Sequence, residues 1–120
     1  MARILTVDDS PADLKLMETA LRSAQHTVIP LGDPTGVEGA VEREQPDLLL
    51  LDVVMPGRNG YDVLRAVRRA PRGKALKVIL VSSKGQDTDV KWGLRQGADD
   101  YLVKPYTPDQ LLAVVARHVG

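Results

Sequence analysis

The sequence predicts an α/β domain: a doubly wound, five-stranded parallel sheet with five helices on its faces. Three observations carry this. Five short runs rich in Leu, Ile and Val recur along the chain, each too brief for a buried helix. Amphipathic stretches with helix-start signals alternate with them. The segments between are short and hold Gly, Pro, Asp and Asn, which favour turns. Strands that alternate with helices pair in parallel, because each crossover brings the chain back to the same end of the sheet.

The elements follow in order. Arg3–Asp9 reads as a first strand closed by two carboxylates, Asp8 and Asp9. Ser10 then suits an N-cap, Pro11 the first helical position, and Asp13 the positive end of the helix dipole. Leu14, Leu16, Met17, Ala20, Leu21 and Ala24 form the stripe of a first helix running to about Ala24. His26–Leu31 reads as the second strand. Pro30 cannot donate to a ladder and puts that strand at an edge. Asp33-Pro34 repeats the cap-then-proline start, for a weak second helix, softened by Gly36 and Gly39, that runs to about Glu44.

Asp47–Asp52 is the third strand. Its four consecutive leucines read as buried on both faces, and Asp52 closes it. An ionised carboxylate is costly in an apolar interior, so Asp52 belongs at the C-terminal end, where the sheet meets water. Pro56-Gly57 and Asn59-Gly60 bend the chain. The third helix starts near Asn59-Gly60, turns Val63, Leu64, Val67 and Ala70 inward, and stops at Pro71-Arg72-Gly73. Leu76–Ser82 is the fourth strand. A fourth helix from about Asp87 to Gln96 turns Val90 and Leu94 inward and leaves Trp92 off the stripe, facing solvent or a neighbouring helix. Asp100–Val103 is the fifth strand, followed by Lys104-Pro105. Thr107-Pro108 caps the last helix, with stripe Leu111, Leu112, Val114, Val115 and Val119. Right-handed crossovers favour the flavodoxin-like strand order 2-1-3-4-5, which puts the first strand beside the third.

Composition narrows the function classes. A chain of 120 residues fits one domain, 1–120, around one core. Lys+Arg and Asp+Glu number 16 each, and this zero formal charge argues against direct nucleic-acid binding. The absence of Cys excludes disulfides, a thiolate nucleophile and Cys-ligated zinc. The opening apolar run is cut short by Asp8-Asp9, so it is no signal peptide, and no run approaches membrane-spanning length. A cytoplasmic location is the expectation.

The predicted topology gathers Asp8 and Asp9, Asp52, Ser82 and Lys104 at one edge of the sheet, the C-terminal one. Each has an ordinary reading taken singly: capping acids, a turn serine, a surface lysine. Asp99 and Asp100 read as solvated turn acids, and His26 and His118 lie away from that edge without a catalytic role. Jointly, converging carboxylates repel one another unless a cation intervenes, and their oxygens suit Mg²⁺, with Mn²⁺ as the alternative. A metal, a lysine and a hydroxyl around a carboxylate nucleophile make a phosphoryl-transfer site.

Val7-Asp8-Asp9-Ser10, Leu51–Gly60, Val81-Ser82-Ser83, Gly97–Tyr101 and Lys104-Pro105 together resemble the receiver domain of two-component response regulators, the CheY-like fold, over the whole chain. The resemblance implies that Asp52 accepts a phosphoryl group from the phosphohistidine of a sensor histidine kinase. It implies that Asp9 binds Mg²⁺ directly, Asp8 mainly through water, and Val54 through its backbone carbonyl. Ser82 and Lys104 would each hold a phosphoryl oxygen; many members carry Thr in place of Ser82. The Lys104-Pro105 bond is expected to be cis. Ser82 and Tyr101 would form the switch, with Tyr101 turning inward as Ser82 is drawn to the site. The face of the fourth helix, fifth strand and fifth helix would then change shape toward a downstream protein target. Val54 and Lys84 would flank the path of the attacking water and tune the lifetime of the phosphorylated state. The only chemistry implied is the domain's own phosphorylation and dephosphorylation, not that of an enzyme.

Val81–Lys84 and Trp92–Leu102 are more particularly similar to stand-alone regulators of twitching-motility, chemotaxis-like systems. If the chain is complete, nothing remains after the last helix for an output domain, so output would be by protein–protein contact from a monomer or weak dimer. Rival readings fit less well. A haloacid-dehalogenase-like hydrolase needs an acid two residues past its nucleophile, where Val54 stands. A flavodoxin-type carrier needs a hydroxyl-rich phosphate loop where Asp8-Asp9 stand. A pseudo-receiver would lack part of the acidic set.

Overall fold

In the computed structural model, which describes residues 1–119, strands and helices alternate without exception: β1 (Arg3–Val7), α1 (Pro11–Ser23), β2 (Thr27–Leu31), α2 (Val37–Glu44), β3 (Leu48–Asp52), α3 (Gly60–Arg69), β4 (Lys77–Ser82), α4 (Asp87–Arg95), β5 (Asp100–Val103) and α5 (Pro108–Ala116). All pairings are parallel, in the order β2-β1-β3-β4-β5. β3 is central and every one of its residues is buried, which is why it tolerates an unbroken leucine run. Pro30 lies in β2, an edge strand, as a missing donor requires.

Alternate residues of each strand serve two separate cores. Leu5, Val7, Leu49, Leu51, Val78 and Leu80 face α2, α3 and α4, with Val37, Val41, Val63, Leu64 and Val67 packed against them. Ile4, Leu48, Leu50, Ile79, Val81 and Leu102 face α1 and α5, against Met17, Leu21, Leu111, Val114 and Val115.

The helix ends behave as their residues dictate, with one exception. Ser10 Oγ accepts from Asp13 N, Asn59 caps α3 through Asp62 N, and Thr107 with Gln110 closes a capping box on α5. The exception is α2. Asp33 Oδ1 accepts from Thr35 N and makes a local turn instead of a cap. The helix starts later, after Gly36 in the left-handed region at φ 81°, and Pro34 is buried outside it.

Four apolar positions also depart from expectation. Leu16 is 62% exposed, because the buried stripe of α1 is Met17, Ala20 and Leu21. Ala24 is the C-cap of α1 and faces solvent. Leu94 is 42% exposed: α4 turns Val90 and Gly93, not Val90 and Leu94, toward the sheet. Trp92 is correspondingly outward, at 49%. Ala70 caps α3 in an extended conformation and is only half-buried.

Candidate functional site

Parallel strands all end at the same edge, so four chain segments deliver their polar residues to one place. Asp52 is the last residue of β3 and Ser82 the last of β4; Asp8 directly follows β1 and Lys104 directly follows β5. Backbone bonds fix these ends. Asp8 N donates to Leu31 O at 3.1 Å, Val53 N to Val81 O at 3.1 Å, and Lys104 N to Ser82 O at 2.8 Å. The Lys104–Pro105 peptide is cis, as expected. Behind Asp52, the first residue of α3 packs against the strand backbone. Gly60 N donates to Val53 O at 2.7 Å, and a Cβ on Gly60 would stand 2.4 Å from Asp52 O. Only glycine fits there, so α3 can close directly under the carboxylate.

Lys104 is the hub of the site. Its Nζ lies 2.8 Å from Asp8 Oδ2, 2.9 Å from Asp13 Oδ2 and 3.4 Å from Asp52 Oδ1. Asp8 and Asp52 are buried, while Asp9 is exposed. Asp8 Oδ1 also accepts from Ser10 N at 2.9 Å. Burial lowers the basicity of the Lys104 ammonium, but its hydrogen bonds to Asp8 and Asp13 and the charge of Asp52 outweigh this and hold its pKa above the ordinary lysine value. Asp52 goes the other way. Burial first, then the charge of Asp8, push its carboxyl up to about 6; Lys104 opposes the rise and Asp9 adds to it. Burial similarly pushes the phenol of Tyr106, which stands near this cluster, up to about 12. The cleft is small, about 190 Å³, and is lined by Asp8, Asp9, Ser10, Asp13, Asp52, Val54, Ser82, Ser83 and Lys104.

The donor set fits a divalent cation. Asp8, Asp9 and Asp52 each offer a carboxylate oxygen, and these oxygens lie within 4.8 Å of one another. Hard oxygens crowded in this way, with one carboxyl raised in pKa by burial and then by Asp8, are relieved by an oxygen-seeking ion such as Mg²⁺.

Asp8, Asp9, Asp52, Ser82 and Lys104 therefore meet as their strand positions predict, with the Val54 side chain exposed at the mouth. Asp13 was missed as a member. It looked like a dipole acid, and the available signal was its place one turn beyond Asp8-Asp9 on the same edge. The Ser82 hydroxyl is buried and accepts from Lys84 N at 3.1 Å. Tyr101 lies inward, 9% exposed, with its hydroxyl donating to Lys84 O at 2.7 Å. Lys84 thus holds the Ser82 and Tyr101 side chains through its backbone, while the residue itself is exposed.

Asp99 and Asp100 are not free turn acids. Asp99 Oδ2 accepts from Val78 N and Arg68, and Asp100 pairs with His118 and accepts from Tyr101 N. Together with His26, which accepts from Ala2 N, they lie at the opposite edge, where the strands begin.

The family model for the response regulator receiver domain matches residues 4–116. The chain belongs to the response regulator receiver domain family. It is 40% identical over 115 residues to PilH of Pseudomonas aeruginosa, covering 96% of this chain and 95% of PilH. It is 41% identical over 113 residues to the DNA-binding response regulator MtrA of Mycolicibacterium smegmatis, of which it spans about half, 48%. Among solved structures, the Vibrio cholerae chemotaxis protein CheY4 superposes with a TM-score of 0.93 at 27% identity over 99% of both chains. The receiver domain of the Pseudomonas aeruginosa sensor kinase PA1611, which has a magnesium ion in its active-site cleft, does so with a TM-score of 0.89 at 28% identity, covering 98% and 96%. This receiver is a two-component signalling protein, similar to PilH and to the chemotaxis response regulator CheY4. Among its described residues no helix is long and apolar enough to cross a membrane.

Proposed function

We propose that this receiver acts as one unit that takes a phosphoryl group onto Asp52 from the phosphohistidine of a sensor histidine kinase, and passes the state to a protein target through α4, β5 and α5. The single observation that supports it most is the Lys104 ammonium at bonding distance from Asp8 and Asp13 and 3.4 Å from Asp52, around a carboxylate that burial and Asp8 push up to about 6. Above that pH Asp52 is mostly ionised and therefore nucleophilic.

In the step proposed, an Asp52 Oδ attacks phosphorus and forms an O–P bond. The P–N bond to the donor imidazole breaks, its electron pair stays on the ring nitrogen, and that nitrogen takes a proton. Lys104 neutralises charge on one phosphoryl oxygen, and Ser82 donates its hydroxyl to another. Mg²⁺ would be held by Asp9, by Asp52, by Asp8 through water and by the Val54 carbonyl, and when bound it supplies charge neutralisation for the oxygens in flight. Exposed Val54 and Lys84 flank the way in for water and set how long the acyl phosphate lasts. The receiver works as a monomer or weak dimer, in the cytoplasm, without contacting nucleic acid or membrane itself.

The test is labelling by radioactive acetyl phosphate with Mg²⁺. The expected outcome is about one phosphoryl group per chain in the wild type and none in Asp52→Asn, with the mutant's circular dichroism unchanged. Stoichiometric label on folded Asp52→Asn would overturn the assignment.

A further inference from the structure

Gly93 sits in the middle of α4, where only proline is less favourable in a helix. Its backbone shows no left-handed twist that would call for glycine. What calls for it is space. A Cβ at Gly93 would stand 3.0 Å from Tyr101 Cδ2, 3.1 Å from Tyr101 Cε2 and 3.0 Å from Leu80 Cδ1, closer than side chains pack without yielding. The missing side chain leaves a slot in α4, and the ring of inward Tyr101 fills it.

The hydroxyl end of the ring is held as well. Tyr101 donates to Lys84 O at 2.7 Å. Tyr61, half-buried at the start of α3, packs on the same core. Burial raises the Tyr61 phenol, and the neighbouring hydroxyl of Tyr101 raises it further. The ring is thus seated by Gly93 and its oxygen by the Lys84 carbonyl, with Tyr61 packed on the same core beside it.

We propose that Gly93 and Tyr61 are positioning residues that set how much of the population carries Tyr101 inward, and so how the α4–β5–α5 face is presented. The inference deepens the proposed function, since its ligand arm rests on Asp52 as the phosphoacceptor, but the side-chain arm does not. A receiver whose competent arrangement is well populated binds its ligand more tightly, because the apparent dissociation constant scales inversely with the competent fraction. Gly93 and Tyr61 act on that fraction and touch neither phosphoryl nor metal.

The experiment has two readouts on the full chain. First, three-bond couplings report the χ1 of Tyr101 in isotopically labelled wild type, Gly93→Ala and Tyr61→Phe. The expected result is one dominant inward rotamer in the wild type, a clear outward fraction in Gly93→Ala, and a smaller shift of the same sign in Tyr61→Phe. Alanine favours helix, so Gly93→Ala is expected to stay folded. Second, beryllofluoride affinity with Mg²⁺ is measured by calorimetry. Gly93→Ala should weaken it about three- to tenfold, and should leave it within about twofold when made in a Tyr101→Ala background, where there is no ring to seat. An unchanged Tyr101 rotamer in Gly93→Ala would overturn the proposal, as would equal weakening in both backgrounds, which would mark Gly93 as a packing residue of α4. If no variant binds beryllofluoride, the assignment of Asp52 fails and the rotamer readout alone decides the role of Gly93.

Discussion

The two edges of this sheet handle carboxylates in opposite ways. At the edge where the strands begin, each acid has its own partners. Asp47 accepts from Arg3 N at 2.9 Å, Asp99 from Val78 N at 2.8 Å and Asp100 from Tyr101 N at 2.8 Å. The Arg68 guanidinium pairs with Asp99 at 3.0 Å, and the His118 ring meets Asp100 at 2.9 Å. At the edge where the strands end, Asp8, Asp13 and Asp52 share the single ammonium of Lys104, and Asp52 is left with a raised pKa. The chemistry of the residues is the same at both edges. The difference is whether donors were provided locally or left for a ligand to bring. One edge is a fastening; at the other, burial and the charge of Asp8 leave the Asp52 carboxylate costly to ionise.

The contrast breaks first at Arg68. Its guanidinium donates to Gly73 O, Leu76 O and Gly97 O as well as to Asp99, tying α3, β4 and the α4–β5 turn together. Arg68→Ala leaves three carbonyls and a carboxylate short of donors and should lower stability by about 3 kcal/mol, read from urea unfolding. A loss below about 1 kcal/mol would mean that water replaces the guanidinium and that this edge is no fastening.

Asp52→Asn should do the reverse. A carboxyl whose folded pKa lies above its unfolded one binds protons more readily when folded. Its contribution therefore falls as pH rises from about 4 to about 6, and is unfavourable above that. Removing the charge should raise stability at pH 7.5 in a chelator by about 2 kcal/mol. The gap between mutant and wild type should close toward pH 4 and shrink when Mg²⁺ is added. A destabilised Asp52→Asn at pH 7.5 would show that Lys104 already relieves the cluster.

The smallest expected effect is kinetic and sharpens the account of the strand-end edge. Val54 is 56% exposed beside Asp52 and has no donor or acceptor to orient water. Val54→Asn should speed loss of the phosphoryl group about ten- to a hundredfold, roughly 1.4–2.7 kcal/mol of barrier, followed as decay of labelled protein with Mg²⁺ and no phosphatase. Equal rates would mark Val54 as a bystander.

Much of this was legible in the sequence. A run such as Leu48–Leu51 closed by Asp52 has only one comfortable place in a parallel sheet, and the β3 end follows from solvation alone. The ends of β1, β4 and β5 follow by the same argument, and so does the meeting of Asp8, Ser82 and Lys104. What could not be read was set by contacts distant in sequence. Asp13 joins Lys104 across 91 positions. Asp33 has two local uses, cap or turn, and the buried Pro34 decides between them. Leu94 loses its inward place to Gly93, a residue that no apolar stripe would select. Asp99 and Asp100 find Arg68 and His118 only once the fold is made.

Every helix begins with an acid in its first turn: Asp13, Glu38, Asp62, Asp87 and Asp109; four of the five carry Arg in the last turn. Locally these charges complement the helix dipoles. Because all five helices start at the strand-end edge, these first-turn acids stand around the site and the last-turn arginines lie at the opposite edge. Charges placed this way act on an approaching body over a screening length of about 8 Å in physiological salt.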